Sequence, residues 1–319
     1  MIYKTESKTN LNKKGLIFSE KNDILIPCSG ETAIDLATAS CIQKDQVAIG
    51  GDITIIKTNQ YAPFITYYLN QKRTDIAKYA QGVSIVHLYA KDFKILNMRI
   101  PSFDEQKKII HLFEEIVKKE KLLEEKYNYY IEFKKYLMQQ IFTQKLRLVF
   151  DDDWKMISFN DIFKSISTKK YQIKSGEINE SGDFDVVDQG QDEIAGYYND
   201  ANKLFQNLPI IIYGDHTTFI KFREKPFIVG GDGVKLLYSK LDCDLKYLYY
   251  ALEHFNIKQE GYKRHFSILR KINLPIPSFN EQYQISKFLT TIDKKIYLMQ
   301  NQLEQTEEFK KGLLQEMFV

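Results

Sequence analysis

Residues 100–142 and 276–318 of this 319-residue chain are one segment written twice. Shifting the chain by 176 positions aligns them without a gap, and 18 of the 43 aligned residues are identical. Unrelated segments of ordinary composition agree at about one position in fifteen, so the match is a duplication. Both copies open on nearly the same heptapeptide, IPSFDEQ at 100–106 and IPSFNEQ at 276–282. Ser102 with Glu105, and Ser278 with Glu281, have the S-x-x-E spacing of a capping box. In such a box the serine oxygen accepts a first-turn N–H and the glutamate reaches back to the cap N–H. Pro101 and Pro277 lie just outside, where the residue before a proline is held extended. The heptapeptide therefore predicts a junction at which a strand-like segment becomes a helix.

Each copy then shows a seven-residue period. In the first, Ile109, Phe113, Ile116, Leu123, Tyr127, Tyr130, Leu137 and Ile141 form one seam, interrupted at Glu120 and Lys134. In the second, the matching seam is Ile285, Leu289, Ile292, Ile296, Met299, Leu303, Leu313 and Met317, interrupted at Thr306 and Lys310. This is a coiled-coil pattern. At about 1.5 Å per residue each helix is roughly 55–65 Å long. A lone helix of this kind is not stable from propensity, so each seam needs a partner. The duplication supplies one within the chain; a zipper between two chains is the alternative.

The segments before the helices, 1–99 and 151–275, are less alike but share a plan. DILIPCSGET (23–32) parallels PIIIYGDHTT (209–218), an apolar strand running into a polar, glycine-containing turn. VAIGGDITII (47–56) parallels FIVGGDGVKLL (227–237), with Gly-Gly-Asp in both. YAPFITYYLNQ (61–71) parallels DLKYLYYALEH (244–254), an amphipathic helix with paired tyrosines, and YAQGVSIVHL (79–88) parallels GYKRHFSILRKI (261–272). Short β-branched runs broken by Gly, Asn and Asp predict an α+β domain with a mixed or mainly antiparallel sheet in each. The first has no counterpart of WKMISFNDIF (154–163), so it is expected to be shortened at its start.

Composition narrows the classes. With 44% apolar and 13% aromatic residues the chain can bury real cores, and a net charge of +3 permits a nucleic-acid partner without demanding one. Cys28, Cys41 and Cys243 form no CxxC pair and fit reduced thiols. The first residues lack the apolar region of a secretory signal, and no apolar run is long enough to span a membrane. A soluble, cytoplasmic protein is expected. Asp215 and His216 in GDHTT invite a general-base or metal reading. A base needs a nucleophile and an oxyanion partner, and a zinc site needs several spaced ligands. His87, His111, His216, His254 and His265 are scattered, and no HExxH, Walker loop or GxGxxG is present. The chain is expected to carry no catalysis and no metal. The acidic run at 151–153 reads as a linker.

Two dissimilar domains, each followed by a duplicated helix that opens IPxFxEQ, resemble the specificity (HsdS-type) subunit of type I restriction–modification systems. PIPSFNEQYQISKFL with its closing FKKGLLQEMF carries the resemblance most specifically, and VVDQGQDEIAGYYND, IIYGDHTTFIKF, GGDGVKLL and GYKRHFSILRKINLPIP fit the second domain in order. The resemblance implies a first target recognition domain at 1–99, truncated at its start, and a first spacer helix at 100–150. It implies a second recognition domain at 151–275 and a second spacer helix at 276–319, the two helices antiparallel. It further implies that each domain reads one half of a bipartite duplex DNA site, that the helices set the spacer, and that two methyltransferase (M) subunits and motor–nuclease (R) subunits assemble on the chain. S-adenosylmethionine would then belong to M, and ATP and Mg to R, with no cofactor in this chain.

Candidate DNA-contacting residues lie in the second domain. Lys169, Lys170, Tyr171 and Lys174 form one group, Thr217, Thr218, Lys221 and Arg223 a second, and Lys263, Arg264 and His265 a third. Lysine and arginine suit phosphates. Gln189 and Gln191 have amides able to pair with adenine, and Arg264 suits guanine. The alternative for each is an ordinary solvated side chain. Two other functions stay open: a coiled-coil scaffold that never touches DNA, and a shortened specificity subunit that reads one half-site.

Overall fold

The computed structural model describes residues 1–4, 15–82, 85–148, 153–261 and 263–318. Of the segments singled out above, residues 5–14, 83–84, 149–152, 262 and 319 lie outside that set. The chain forms two compact units, Met1–Lys126 with Met299–Val319, and Tyr127–Leu298. Among the described residues no helix is long and apolar enough to cross a membrane.

In the first unit the chain runs through β1 (Ile17–Phe18), β2 (Ile24–Pro27), β3 (Ser29–Gly30), α1 (Ala33–Leu36), β4 (Ser40–Cys41), β5 (Ala48–Ile49), β6 (Ile53–Ile56), α2 (Ala62–Gln71), α3 (Arg73–Ala77) and β7 (Val86–His87) into the long helix α4 (Phe103–Phe142). Strands β4, β2 and β6 make an antiparallel sheet with β2 central, while β1 pairs with β5 and β3 with β7. Alternation along β2 turns Ile24 and Ile26 inward. There they meet Phe64, Tyr68 and Leu69 of α2, and Ile110 and Phe113 from the start of α4.

The second unit contains β8 (Lys155–Ser158), α5 (Phe159–Ile162), β9 (Phe163–Ile166), β10 (Gln172–Ile173), β11 (Phe184–Val187), β12 (Gly196–Tyr198), β13 (Ile210–Gly214), β14 (Ile220–Arg223), β15 (Ile228–Gly230), β16 (Val234–Ser239), α6 (Leu245–His254), α7 (Phe266–Leu269), β17 (Asn273–Ile276) and the long helix α8 (Phe279–Met317). One four-stranded sheet, β14-β13-β16-β9, is antiparallel; the other, β10-β15-β11-β12, is mixed. The run IIIY of β13 is buried on both faces, which is why it reads as continuous rather than alternating. Ile210 and Ile212 pack with Val187 and Val229 of the mixed sheet and with Phe227 just before β15. Ile211 and Tyr213 pack on the other side with α6 and with both long helices. The α+β class is as expected, with mixed and antiparallel sheets.

Within each unit the long helices meet end to start. In the first, Leu313, Leu314 and Phe318 from the end of the second repeat join Ile110 and Phe113 of α4. In the second, Met138, Ile141 and Phe142 join Ile285 and Leu289 of α8. All eight seam residues of the first repeat are buried or half-buried. In the second repeat Met317 departs from expectation: it is 36% exposed, and Phe318 is buried in its place. The helix stops at Met317, so the next residue turns into a ring cluster with Phe64 at 5.1 Å and Phe113 at 5.7 Å between centroids. Aromatic burial of that size outweighs the thioether. The polar interruptions are paired, though Glu120 Oε1 is buried without a hydrogen-bond partner of its own. Lys310 pairs with Glu120 at 2.5 Å, and Lys134 pairs with Glu253 and Asp293 at 2.9 Å each. Burial alone would lower the Lys134 pKa, but the two carboxylates more than offset it and hold the ammonium above its ordinary value.

Both heptapeptides open a helix, as expected, but a strand (β17) leads only into the second; the first follows a short 3-10 helix at Ala90–Ile95. Their glutamines carry the attachment. Gln106 Oε1 accepts the N–H of Tyr61, the cap residue of α2, at 2.9 Å, while its Nε2 donates to Pro101 O at 2.9 Å. Gln282 Oε1 accepts the N–H of Asp244, the cap residue of α6, at 3.0 Å, and its Nε2 donates to Pro277 O at 2.9 Å. The glutamates diverge. Glu105 completes the capping box, accepting Ser102 N–H at 2.9 Å. Glu281 keeps the bond from its own N–H to Ser278 Oγ, but its carboxylate is fully buried and takes Arg147 at 3.0 and 2.6 Å and Trp154 Nε1 at 2.9 Å.

Candidate nucleic-acid interface

In the second unit, the loops at 188–193, 214–218 and 231–233, with residues 260–261 and 263–265, are tied to one another through Asp215, Gln189 and His265. Asp215 follows β13 and is 3% exposed. Its N–H donates to Gly233 O at 2.7 Å, its carbonyl accepts His265 N–H at 2.7 Å, and its Oδ1 accepts Phe266 N–H at 2.8 Å. Lys235 Nζ lies 3.6 Å from Oδ2. The carboxylate that suggested a base is thus a brace for three loops. His265 completes it: Nε2 accepts Glu260 N–H at 3.0 Å, which leaves Nδ1 as the donor toward Asp215 O at 3.2 Å. Among the described residues no three His, Cys, Asp or Glu side chains gather as a metal would require.

Gln189 sits inside this frame. Its Oε1 accepts His216 N–H at 3.1 Å, and its carbonyl accepts the Thr217 hydroxyl. Glycine makes room for it: a Cβ on Gly233, already at φ +85°, would lie 2.6 Å from Gln189 Oε1. Lys221 holds the same loop from within. It is 4% exposed, donates to Asp188 O at 3.1 Å and to Asp192 O, and burial lowers its pKa.

Four candidates are therefore internal. Lys221 binds loop carbonyls, Arg223 pairs with Asp185 at 2.7 Å, His265 is fully buried, and Thr218 is a buried turn residue at φ +61°. Lysine and arginine on a strand read as surface residues from sequence alone. Here β14 lies where the 188–193 loop needs donors for its carbonyls. Thr217 and Gln189 are half-buried parts of the frame. The exposed candidates are Lys169, Lys170, Lys174, Gln191, Lys263 and Arg264, with Tyr171 half-buried. Lys170 Nζ stands 5.6 Å from the Tyr171 ring, and Lys263 is bridged to Glu260 at 2.5 Å. Lys169 and Lys174 line one open cleft with Lys203, which the sequence reading missed because it lies beyond two intervening strands. Lys235, also missed, follows the Gly-Gly-Asp turn that the repeat comparison had marked.

The first unit has the same wiring in smaller form. Cys28 N–H, just after β2, donates to Asp52 O of its Gly-Gly-Asp loop at 3.0 Å. Ser29 Oγ donates to the Asp52 carboxylate. Among its described residues there is no counterpart of the four-stranded mixed sheet.

Residues 151–308 match the family described as the type I restriction modification DNA specificity domain. Over 95% of its length the chain is 22% identical to the type I restriction enzyme MjaVIII specificity subunit of Methanocaldococcus jannaschii, covering 80% of that protein. It is 24% identical to the putative type I restriction enzyme MjaX specificity subunit of the same organism, over 80% of this chain and 67% of that one. In fold it is similar to the S subunit of a type I restriction–modification system from M. genitalium, with a TM-score of 0.67 at 18% identity over 95% of this chain and 84% of the other. A chain from a structure of type I R-M complex assembly and conformational transition matches with a TM-score of 0.56 at 13% identity, over 94% and 82%.

Proposed function

Because the chain belongs to the family of type I restriction–modification DNA specificity subunits, we propose that its second unit reads one half of a bipartite duplex site through the loops braced by Asp215. One observation carries this reading: loops from separate parts of the sequence are fastened to one another, and they present Gln191, Lys263 and Arg264 to solvent. Lysines 169, 170, 174 and 263 meet phosphates, and Gln191 and Arg264 meet base edges. Gln189 sets the loop and Tyr171 supports Lys170. The chain itself performs no chemistry and holds no cofactor. Two methyltransferase subunits supply S-adenosylmethionine chemistry and restriction subunits supply ATP- and Mg-dependent work, in the cytoplasm.

A second reading is favoured by one feature of the first unit. It lacks, among its described residues, the mixed sheet that carries loop 188–193 in the second, so the two half-sites are read unequally, with the second unit contributing most of the specificity. The test combines duplex competition across a salt series with methylation by M subunits in the presence and absence of this chain. The expected result is binding whose log K falls linearly with log salt, a preference for one bipartite sequence, and methylation there only when the chain is present. Equal affinity for every duplex, or methylation indifferent to the chain, would sink the reading and leave a scaffold.

A further inference from the structure

An open cleft of about 330 Å³ lies between α5, β9, the turn after β16 and α7. Phe159, Phe163 and Phe266 form its apolar lining, and Lys164, Lys240 and Arg270 its cationic part. Asn160 ties two of the cations in place. Arg270 Nε donates to Asn160 Oδ1 at 2.7 Å, Lys240 Nζ donates to Asn160 O at 2.5 Å, and Asn160 Nδ2 donates to Arg270 O at 3.2 Å. The nearest carboxylate in sequence, Asp161, accepts the Ser158 hydroxyl at 2.6 Å.

Four cations of this unit, Lys134, Lys221, Arg223 and Lys235, each face a carboxylate. Lys164, Lys240 and Arg270 are exposed, and among the described residues none of them is in an ion pair. Three uncompensated like charges around one cleft repel one another, an arrangement that an anionic ligand relieves. The cleft adjoins the braced loops. Phe266 lines it, donates its N–H to the Asp215 carboxylate at 2.8 Å, and has Lys235 Nζ 5.7 Å from its ring centroid. The one amide present, Asn160, is spent on holding the cations, so the site offers charge without a base-reading pattern.

We infer that this cleft is a clamp for the sugar–phosphate backbone of duplex DNA, engaging phosphates that flank the bases read by the neighbouring loops. The inference rests on the second unit being a DNA reader. Phosphate contacts fix register and carry no sequence information, so the clamp adds affinity and orientation without altering preference.

The test uses the full chain and a labelled mixed-sequence duplex, with affinity measured across a salt series. Each phosphate contact contributes about 0.9 to the slope of log K against log salt. The neutralised variant K164Q/K240Q/R270Q is expected to lose about 2–3 from that slope, with competing duplexes ranked as before. The charge-keeping variant K164R/K240R/R270K is expected to keep the slope. If the triple variant melts abnormally, the single glutamine variants decide, each expected to lose about 0.9. A wild-type chain that binds with a steep slope, beside a neutralised variant with the same slope, overturns the clamp and leaves the DNA reading intact. That result with lost subunit assembly would assign the cleft to an acidic protein surface. A wild-type chain with no salt-dependent binding overturns both.

Discussion

Gln106 and Gln282 show how a sequence motif can be plain to see while its working residue is not. The capping box was legible because serine and glutamate have a known spacing. The glutamine one position later carries the attachment, since a buried amide satisfies both the helix-cap N–H and the proline carbonyl. Nothing in a linear pattern names a partner 45 or 38 residues away. Lys221 shows the reverse error: a cation expected to meet DNA is instead part of the mould that shapes the loop bearing Gln189 and Gln191. Replacing it, Lys221→Met, leaves the Asp188 and Asp192 carbonyls without their donor at a cost of about 1–3 kcal/mol, and the loop relaxes. We expect preference between competing half-site sequences to fall about tenfold while affinity for bulk duplex changes much less. Competition binding measures both, and an unchanged preference would return Lys221 to a purely structural role.

Among the elements, the long helices were the most legible, because their seven-residue period extends over the whole repeat and averages out single exceptions. Their one misplacement, Met317, comes where the helix ends and the period no longer applies. The mixed sheet was the least legible. Its β10–β15 pairing joins Ile173 to Gly230 across intervening strands, and both strands are too short to show a period. Helix α6 was visible as an amphipathic segment with paired tyrosines, and its burial has a measurable consequence. Burial raises the pKa of Tyr247, Tyr249 and Tyr250, as it does for Tyr213 beneath them. A phenol with a raised folded-state pKa contributes stability that is complete below the unfolded value near 10 and is lost as pH rises above it. Each such tyrosine gives up about 1.4 kcal/mol per pH unit in that range. The second unit should therefore unfold steeply above pH 10, with tyrosinate absorbance appearing together with loss of helical circular dichroism. Absorbance that rises well before unfolding would show these phenols to be accessible.

At the scale of the whole molecule, the duplication and the α+β character of both units were readable from the chain. The way each unit is completed was not. Similarity between repeats says which residues are equivalent, and it does not say that the end of one copy closes the core begun by the other. Phe318 and its neighbours Leu313 and Leu314 belong to the core of the first unit, alongside Phe64 and Phe113. Synthesis runs in one direction, so the unit begun first lacks part of its interior until residues 313–318 have been made. The second unit, whose residues all lie between Tyr127 and Leu298, needs none of residues 313–318. The order of folding is then the reverse of the order of translation. Purified chains truncated after Gly312 should show a protease-resistant second unit and a digestible first one, with the first protected when residues 313–319 are present. Protection of the first unit in the truncated chain would contradict this. A chain that lacks residues 313–318 keeps one closed core and one open one.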